Sequence, residues 1–268
     1  MNSTCFAGFF CQLWRLICEK FLMAYIMEIP KVIYFCNKTL DKMKEYSDNW
    51  KRLNPEYEIR LSDNAMCETF LLREYSPLHR NIFRFIKDGP IKADFWRICI
   101  LNKYGGVYSD IDNEPLLPIR TFVEPGVDFV TCSAYMERVN FNPNFIMSNK
   151  NNIILEKCIE WYIHKYTKRH KYSYWQWSIM KAFTYILHLD NYRLNDGIFY
   201  LNQDKENKEN QMKIQILKEC RGKNHYDDHN VFNGKRVFNN RYKDWNSDKH
   251  CFKSNADHFN FNFKTTKI

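Results

Sequence analysis

The sequence predicts an α/β fold with a mainly parallel central sheet flanked by helices. Three observations carry this reading. From residue 29 the elements alternate β-α-β-α, the order that winds strands into a parallel sheet. The first strand pattern, Ile29-Pro30-Lys31-Val32-Ile33-Tyr34-Phe35-Cys36, is a nearly continuous apolar, β-branched and aromatic run, as expected where both sheet faces are buried. The 268 residues are 45% hydrophobic and 26% charged with only 8 Gly and 8 Pro, which excludes disordered and collagen-like classes and provides for a sizeable core.

The remaining elements follow in order. Thr39 or Asp41 caps a helix running to about Arg52 and ended by Asn54-Pro55. Tyr57 to Leu61 alternates as a second strand, and Asp63 or Asn64 then caps a helix with Phe70, Leu71 and Leu72 on its apolar side. After the Asp88-Gly89 turn, Pro90 suits a first helical turn, where a missing N–H costs nothing. Ile91, Phe95, Ile98 and Leu101 recur at helical spacing, and Asp94 and Arg97, three apart, share one face. Gly105-Gly106 supplies the left-handed conformation that closes this helix. Val107-Tyr108-Ser109 is a short strand leading into Asp110-Ile111-Asp112; Pro115 and Pro118 mark an irregular segment, and Asp128 to Cys132 reads as a further strand. Beyond residue 150 the pattern turns helical: Asn151 or Asn152 to Tyr166, then Trp175 to Leu189 with Trp177, Met180, Phe183 and Leu187 in register. Asn202 to Gln211 is a charged loop before a strand at Lys213 to Leu217, and the Asn- and Lys-heavy tail shows only fragments of pattern.

Forty Lys and Arg against 31 Asp and Glu leave a net charge of +9, which fits an anionic partner such as a nucleotide, a polyphosphate or a membrane surface. The densest basic stretch, His164 to Lys171, reads as a solvated helix end in preference to a nucleic-acid stripe, so no nucleic-acid partner is expected. Ten cysteines, at positions 5, 11, 18, 36, 67, 99, 132, 158, 220 and 251, contain no CxxC pair; they read as small buried hydrophobes in a reducing compartment. Residues 1–28 form a separate apolar segment before a single domain over 29–268. Within it, Arg15, Glu19 and Lys20 interrupt the apolar run from Phe6 to Met27, which excludes a clean bilayer span. Three readings stay open: an amphipathic helix on the domain or a membrane, a weak Golgi-type anchor, or an extension before a start at Met23 or Met27. A cytoplasmic or cytoplasmic membrane-surface location is favoured.

Asp110 and Asp112 are the sharpest candidate for chemistry; an acidic pair at this spacing also arises in ordinary turns, and its context gives it weight. Carboxylates two apart in a strand point the same way, and at a strand end both approach one hard cation. Mg²⁺ or Mn²⁺ typically keeps one or two protein carboxylates and takes its other ligands from water and phosphate oxygens. Ligands of open α/β sheets bind beyond the carboxyl ends of the strands, where this pair falls.

The stretch from Lys92 to Asp112, with Ala93-Asp94-Phe95-Trp96-Arg97 at its start and Gly105-Gly106-Val107-Tyr108-Ser109-Asp110-Ile111-Asp112 at its end, resembles the core of the DXD-containing glycosyltransferases of family 32. Ile29 to Tyr34, Asn54-Pro55-Glu56-Tyr57 and Asn113 to Pro118 are similar to that family's flanking segments. The resemblance covers about residues 29–150. It implies a GT-A-like fold with a donor and metal half over 29–150 and an acceptor half over 151–268, a UDP- or GDP-sugar donor, Mn²⁺ or Mg²⁺, and transfer with retention to a glycan, glycoprotein or glycolipid hydroxyl. By position, Asp112 is the metal ligand and Asp110 contacts the ribose and the metal's surroundings. Asp94 and Arg97 face the donor sugar and its phosphates, Arg97 steadies the leaving group, and Tyr34 and Tyr108 lie near the nucleotide. Each has a plainer alternative: Tyr34 as sheet core, Tyr108 as strand filler, Asp94 with Arg97 as an ion pair on the helix.

The second half departs from the family. Trp175-Gln176-Trp177 stands where members carry Thr-Gly-Pro, and Asn239 to Trp245 where they show His before Ser-Trp. A third metal ligand and the acceptor side therefore stay open, as does a catalytically degenerate protein that binds nucleotide sugar without transfer. His225, Asp227, Asp228 and His229 form a local cluster better read as a solvated loop than as a replacement ligand set.

Overall fold

A computed structural model describes residues 29–41, 43–135, 141–187, 195–202, 211–223 and 227–242. Strand β1 (Val32–Cys36) lies between β2 (Glu58–Ser62) and β3 (Gly106–Ser109), parallel to both. Beyond β3 come β6 (Phe145–Ser148), β5 (Phe129–Ser133) and β8 (Gln211–Cys220). One edge of β8 is shared by β7 (Gly197–Asn202) and β9 (His229–Phe232); β10 (Lys235–Asn239) and the two-residue β4 (Glu114–Pro115) complete the sheet.

The sheet is mixed, which corrects the expectation of a mainly parallel one. Among the described residues only β1 with β2, β1 with β3, and β5 with β8 are parallel; every other pairing is antiparallel. The reason is local. Only 11 residues, 134–144, separate β5 from β6, fewer than the dozen or so a parallel crossover needs, and these neighbouring strands run in opposite directions. The C-terminal half also contributes four strands, β7 to β10, where mainly helical and irregular structure was expected; the predicted strand at 213–217 is the middle of β8.

Helix α1 (Met43–Leu53) covers one sheet face, burying Met43, Tyr46 and Trp50 against Ile33, Phe35, Phe145 and Phe238. The other face carries α2 (Asn64–Glu74), α3 (Pro77–Phe85), α4 (Gly89–Tyr104) and α5 (Ile153–Thr167). Asp63 caps α2 by accepting the Met66 N–H at 2.8 Å, and Asn152 caps α5 by accepting that of Ile154 at 3.0 Å, as Asx N-caps do. The helix expected over 175–189 is two pieces, α6 (Tyr174–Trp177) and α7 (Ile179–Ile186). Ser178 is extended between them, and its hydroxyl caps α7 by accepting the Met180 N–H.

Gly105 ends α4 at φ 68°, ψ −172°, a region open essentially to glycine alone. A Cβ there would stand 2.8 Å from Pro30 Cδ and 3.0 Å from the Ser148 carbonyl oxygen. Gly105→Ala is expected to cost about 2–3 kcal/mol in urea unfolding; an unchanged midpoint would refute the strain argument.

Among the described residues no helix is long and apolar enough to cross a membrane. The 1–28 segment, most of the 202–211 loop, His225 and the tail from residue 243, Trp245 included, lie outside the described residues. Cys67, Cys99, Cys132 and Cys158 are buried thiols, as expected; Cys36 and Cys220 are partly exposed.

Candidate active site

The end of β3 brings the two aspartates to the wall of a cavity of about 180 Å³, also lined by Cys36 and Lys38 after β1, Ala93 and Arg97 of α4, and Tyr108. Ile111, between the two aspartates, packs into the core below. The turn is held from several sides. The Asp110 N–H donates to the Asn144 carbonyl at 2.8 Å, and the Asn113 N–H to the Asp110 carbonyl at 3.1 Å. The Asn113 amide donates to Ser109 Oγ and to the Asn144 carbonyl, both at 3.0 Å. Fully buried Trp50 donates its indole N–H to the Asn113 carbonyl at 3.0 Å. The Tyr242 N–H donates to the Asp112 carbonyl at 3.0 Å.

Arg97 is the hub. Its guanidinium lies 3.1 Å from Asp110 Oδ1 and 3.3 Å from Asp94 Oδ1, donates to the Pro143 carbonyl at 2.6 Å and the Ala93 carbonyl at 3.3 Å, and stacks 4.1 Å from the Tyr108 ring centre. Burial opposes its charge, but Asp110, Tyr108 and Asp94 more than offset this and hold it firmly protonated. Asp94 and Arg97 form a buried ion pair, and Asp94 Oδ2 also accepts the Ile179 N–H at 3.0 Å, pinning α7 to α4. Burial lifts the Asp94 carboxyl to about 6, with Arg97 pulling the other way. The Tyr108 hydroxyl donates to Asp110 Oδ1 at 2.8 Å, and burial keeps that hydroxyl protonated.

Asp110, Asp112, Arg97 and Tyr108 are thus brought together at the cavity, with Asp94 behind them. Tyr34 is not among the cavity-lining residues; it pairs in register with Tyr108 across β1 and β3, and its ring lies against Gly106 and beneath Arg60. Asp227, Asp228 and His229 make local ties: Asp228 accepts the Gly222 N–H, and His229 Nδ1 bonds the Asp227 carbonyl. The asparagines that fix the turn, Asn113 and Asn144, escape sequence reasoning, although Asn113 directly follows the second aspartate.

Burial and the charge of Asp110 lift the Asp112 carboxyl to about 7, with Arg241 pulling it down. Two acidic groups crowded at a cavity wall, one resisting ionisation, form a donor set that a hard dication would relieve. Among the described residues both side-chain partners of Asp110 take Oδ1, which leaves Oδ2 for a cation. Among the described residues no group of three metal-ligating side chains occurs; two carboxylates with substrate and water oxygens match what Mg²⁺ and Mn²⁺ accept.

A family model described as a glycosyltransferase sugar-binding region containing a DXD motif matches residues 41–128. Mannosyl phosphorylinositol ceramide synthase CSH1 of Saccharomyces cerevisiae is 30% identical over 144 residues, 50% of this chain and 38% of that protein. An initiation-specific alpha-1,6-mannosyltransferase of Candida albicans is 32% identical over 81 residues, 30% of this chain and 21% of that protein. The matches therefore span well under half the length of these two relatives. A solved structure, PaToxG glycosyltransferase, aligns at a TM-score of 0.42 and 18% identity over 60% of this chain and 69% of that one, too slight a likeness to bear on the argument. The matched segment contains the acidic pair, the helix behind it and the arginine joining them, and over that segment the chain is similar to the DXD-containing glycosyltransferases.

Proposed function

We propose that the protein is a metal-dependent, retaining glycosyltransferase that moves a hexose from a nucleotide-sugar donor to a hydroxyl of a glycan or glycolipid. The observation that carries this is the pairing of Asp110 and Asp112 at one cavity wall, with Asp110 fixed by Arg97 and Tyr108. The relatives' names put mannose first among sugars and phosphorylinositol ceramide first among acceptors.

Asp110 and Asp112 would hold a bound Mn²⁺ or Mg²⁺, which supplies Lewis-acid stabilisation of the departing diphosphate. Arg97 also has a positioning task. Four of its five N–H donors face Asp94, Asp110 and two carbonyls, so it sets the position of Asp110 and adds positive potential behind the phosphates. Tyr108 stays protonated and holds Asp110 as a pure acceptor. Groups locked in this way need no reorganisation as charge develops, which is where such sites gain their rate.

The test is Mn²⁺-dependent hydrolysis across a panel of UDP- and GDP-sugars, then transfer to the two acceptor classes. Hydrolysis of one donor, abolished by EDTA and restored by Mn²⁺, is expected. Donor uptake without turnover would instead establish a degenerate binder.

A further inference from the structure

Glu219 lies near the carboxyl end of β8, only 5% exposed, and none of the chemistry above uses it. A carboxylate this buried is expensive unless hydrogen-bonded from several sides, and it is. The Asn142 amide donates to Oε1 at 2.5 Å, the Asn240 amide to the same oxygen at 2.6 Å, and the Tyr135 N–H to Oε2 at 3.1 Å. Each asparagine sits two residues before a backbone group that holds the acidic pair. On one side, the Asn144 carbonyl accepts the Asp110 N–H, and between them the Pro143 carbonyl accepts Arg97. On the other, the Tyr242 N–H donates to the Asp112 carbonyl. The two segments are about 100 residues apart in sequence, and a single oxygen joins them.

We propose that Glu219 is a positioning residue whose carboxylate ties the 142–144 segment to the 240–242 segment and so sets the spacing of Asp110 and Asp112 for a divalent cation. The inference rests on the metal-dependent reading above. Groups behind the ligands of a metal typically govern its affinity by 10- to 100-fold. Glu219→Gln retains a carbonyl oxygen for both asparagines; Glu219→Leu removes it while filling the space.

The experiment titrates metal-free full-length protein with Mn²⁺ alone, following free Mn²⁺ by electron paramagnetic resonance, and records thermal melts of the same samples. Glu219→Leu is expected to weaken Mn²⁺ binding about 10- to 100-fold and to lower the metal-free melting temperature, since three buried donors lose their acceptor, while the protein stays folded at the titration temperature. Glu219→Gln should stay within about threefold of wild type, as a rescue by the conservative variant. If Glu219→Leu does not fold, Asn240→Ala removes one of the two bonds to Oε1 and should weaken Mn²⁺ binding in the same direction. Wild-type Mn²⁺ affinity in Glu219→Leu or in Asn240→Ala, or equal losses in Glu219→Leu and Glu219→Gln, overturns the proposal. A wild-type protein that binds no Mn²⁺ overturns the metal-dependent reading itself, so the two failures are distinguishable.

Discussion

Asp112→Asn is expected to reduce Mn²⁺-dependent donor hydrolysis on the order of 10³-fold, equivalent to about 4 kcal/mol of transition-state stabilisation, while raising the melting temperature of the metal-free protein. The two effects share one cause. Asp112 and Asp110 are held close at a partly buried wall, and this lifts the Asp112 carboxyl to about 7, far above the value near 3.9 of an unfolded chain. Between about pH 4 and pH 7 the folded protein therefore binds a proton that the unfolded chain has released. Stability falls across that window as pH rises, and above it the full penalty of an ionised Asp112 is present. Asparagine removes the penalty and retains the shape. In EDTA at pH 8 the variant should melt above wild type, the gap should shrink by pH 5, and saturating Mn²⁺ should reverse the order, because only wild type gains a ligand. Calorimetry at two pH values, with and without Mn²⁺, decides it. A variant less stable than wild type in EDTA at pH 8 would show that Asp112 supports the fold instead of straining it.

Such strain is the sign of a site, and it explains which parts of the molecule could be read in the sequence. Val32 to Cys36 and the buried positions of α4 were legible because apolar periodicity is a local property, and Gly105-Gly106 marked the helix end because its backbone angles admit little else. Asp110 and Asp112 were legible through that same strand and helix. The mixed sheet was not. Phe145 to Ser148 is four residues of apolar chain whose direction follows from how the chain turns back after Ser133, and residue types do not encode that. The break at Ser178 was hidden because the apolar face runs on through it, from Trp177 to Ile179, Ala182 and Phe183. The supporting shell was least visible of all: Asn113, Asn144, Asn240 and Glu219 work through partners 21 to 84 residues away, and an asparagine in a loop carries no mark of what it will meet.

Arg97→Met is expected to destabilise the protein by about 3 kcal/mol at pH 8, the order found when one member of a buried ion pair is removed and its partner keeps an uncompensated charge. The arginine side chain is 5% exposed and that of Asp94 10%, so little water reaches Asp94 to replace the lost cation. Asp110, with a side chain 33% exposed, contributes less. The pH dependence separates this cause from simple loss of packing. Even with Arg97 present, burial holds the Asp94 carboxyl near 6; without it the midpoint rises further. A raised carboxyl costs stability only as pH climbs from the unfolded value near 3.9 through the folded one. The deficit of Arg97→Met should therefore be small at pH 5, where Asp94 is protonated in the variant, and largest at pH 8. Asp94→Asn combined with Arg97→Met removes the stranded charge and should recover much of the loss at pH 8, although donor hydrolysis should stay low because Asp110 is no longer held. Urea unfolding of the single and double variants at both pH values tests this. A deficit independent of pH, or a double variant no more stable than Arg97→Met, would mean that Arg97 matters for the space it fills and not for the carboxylates it joins.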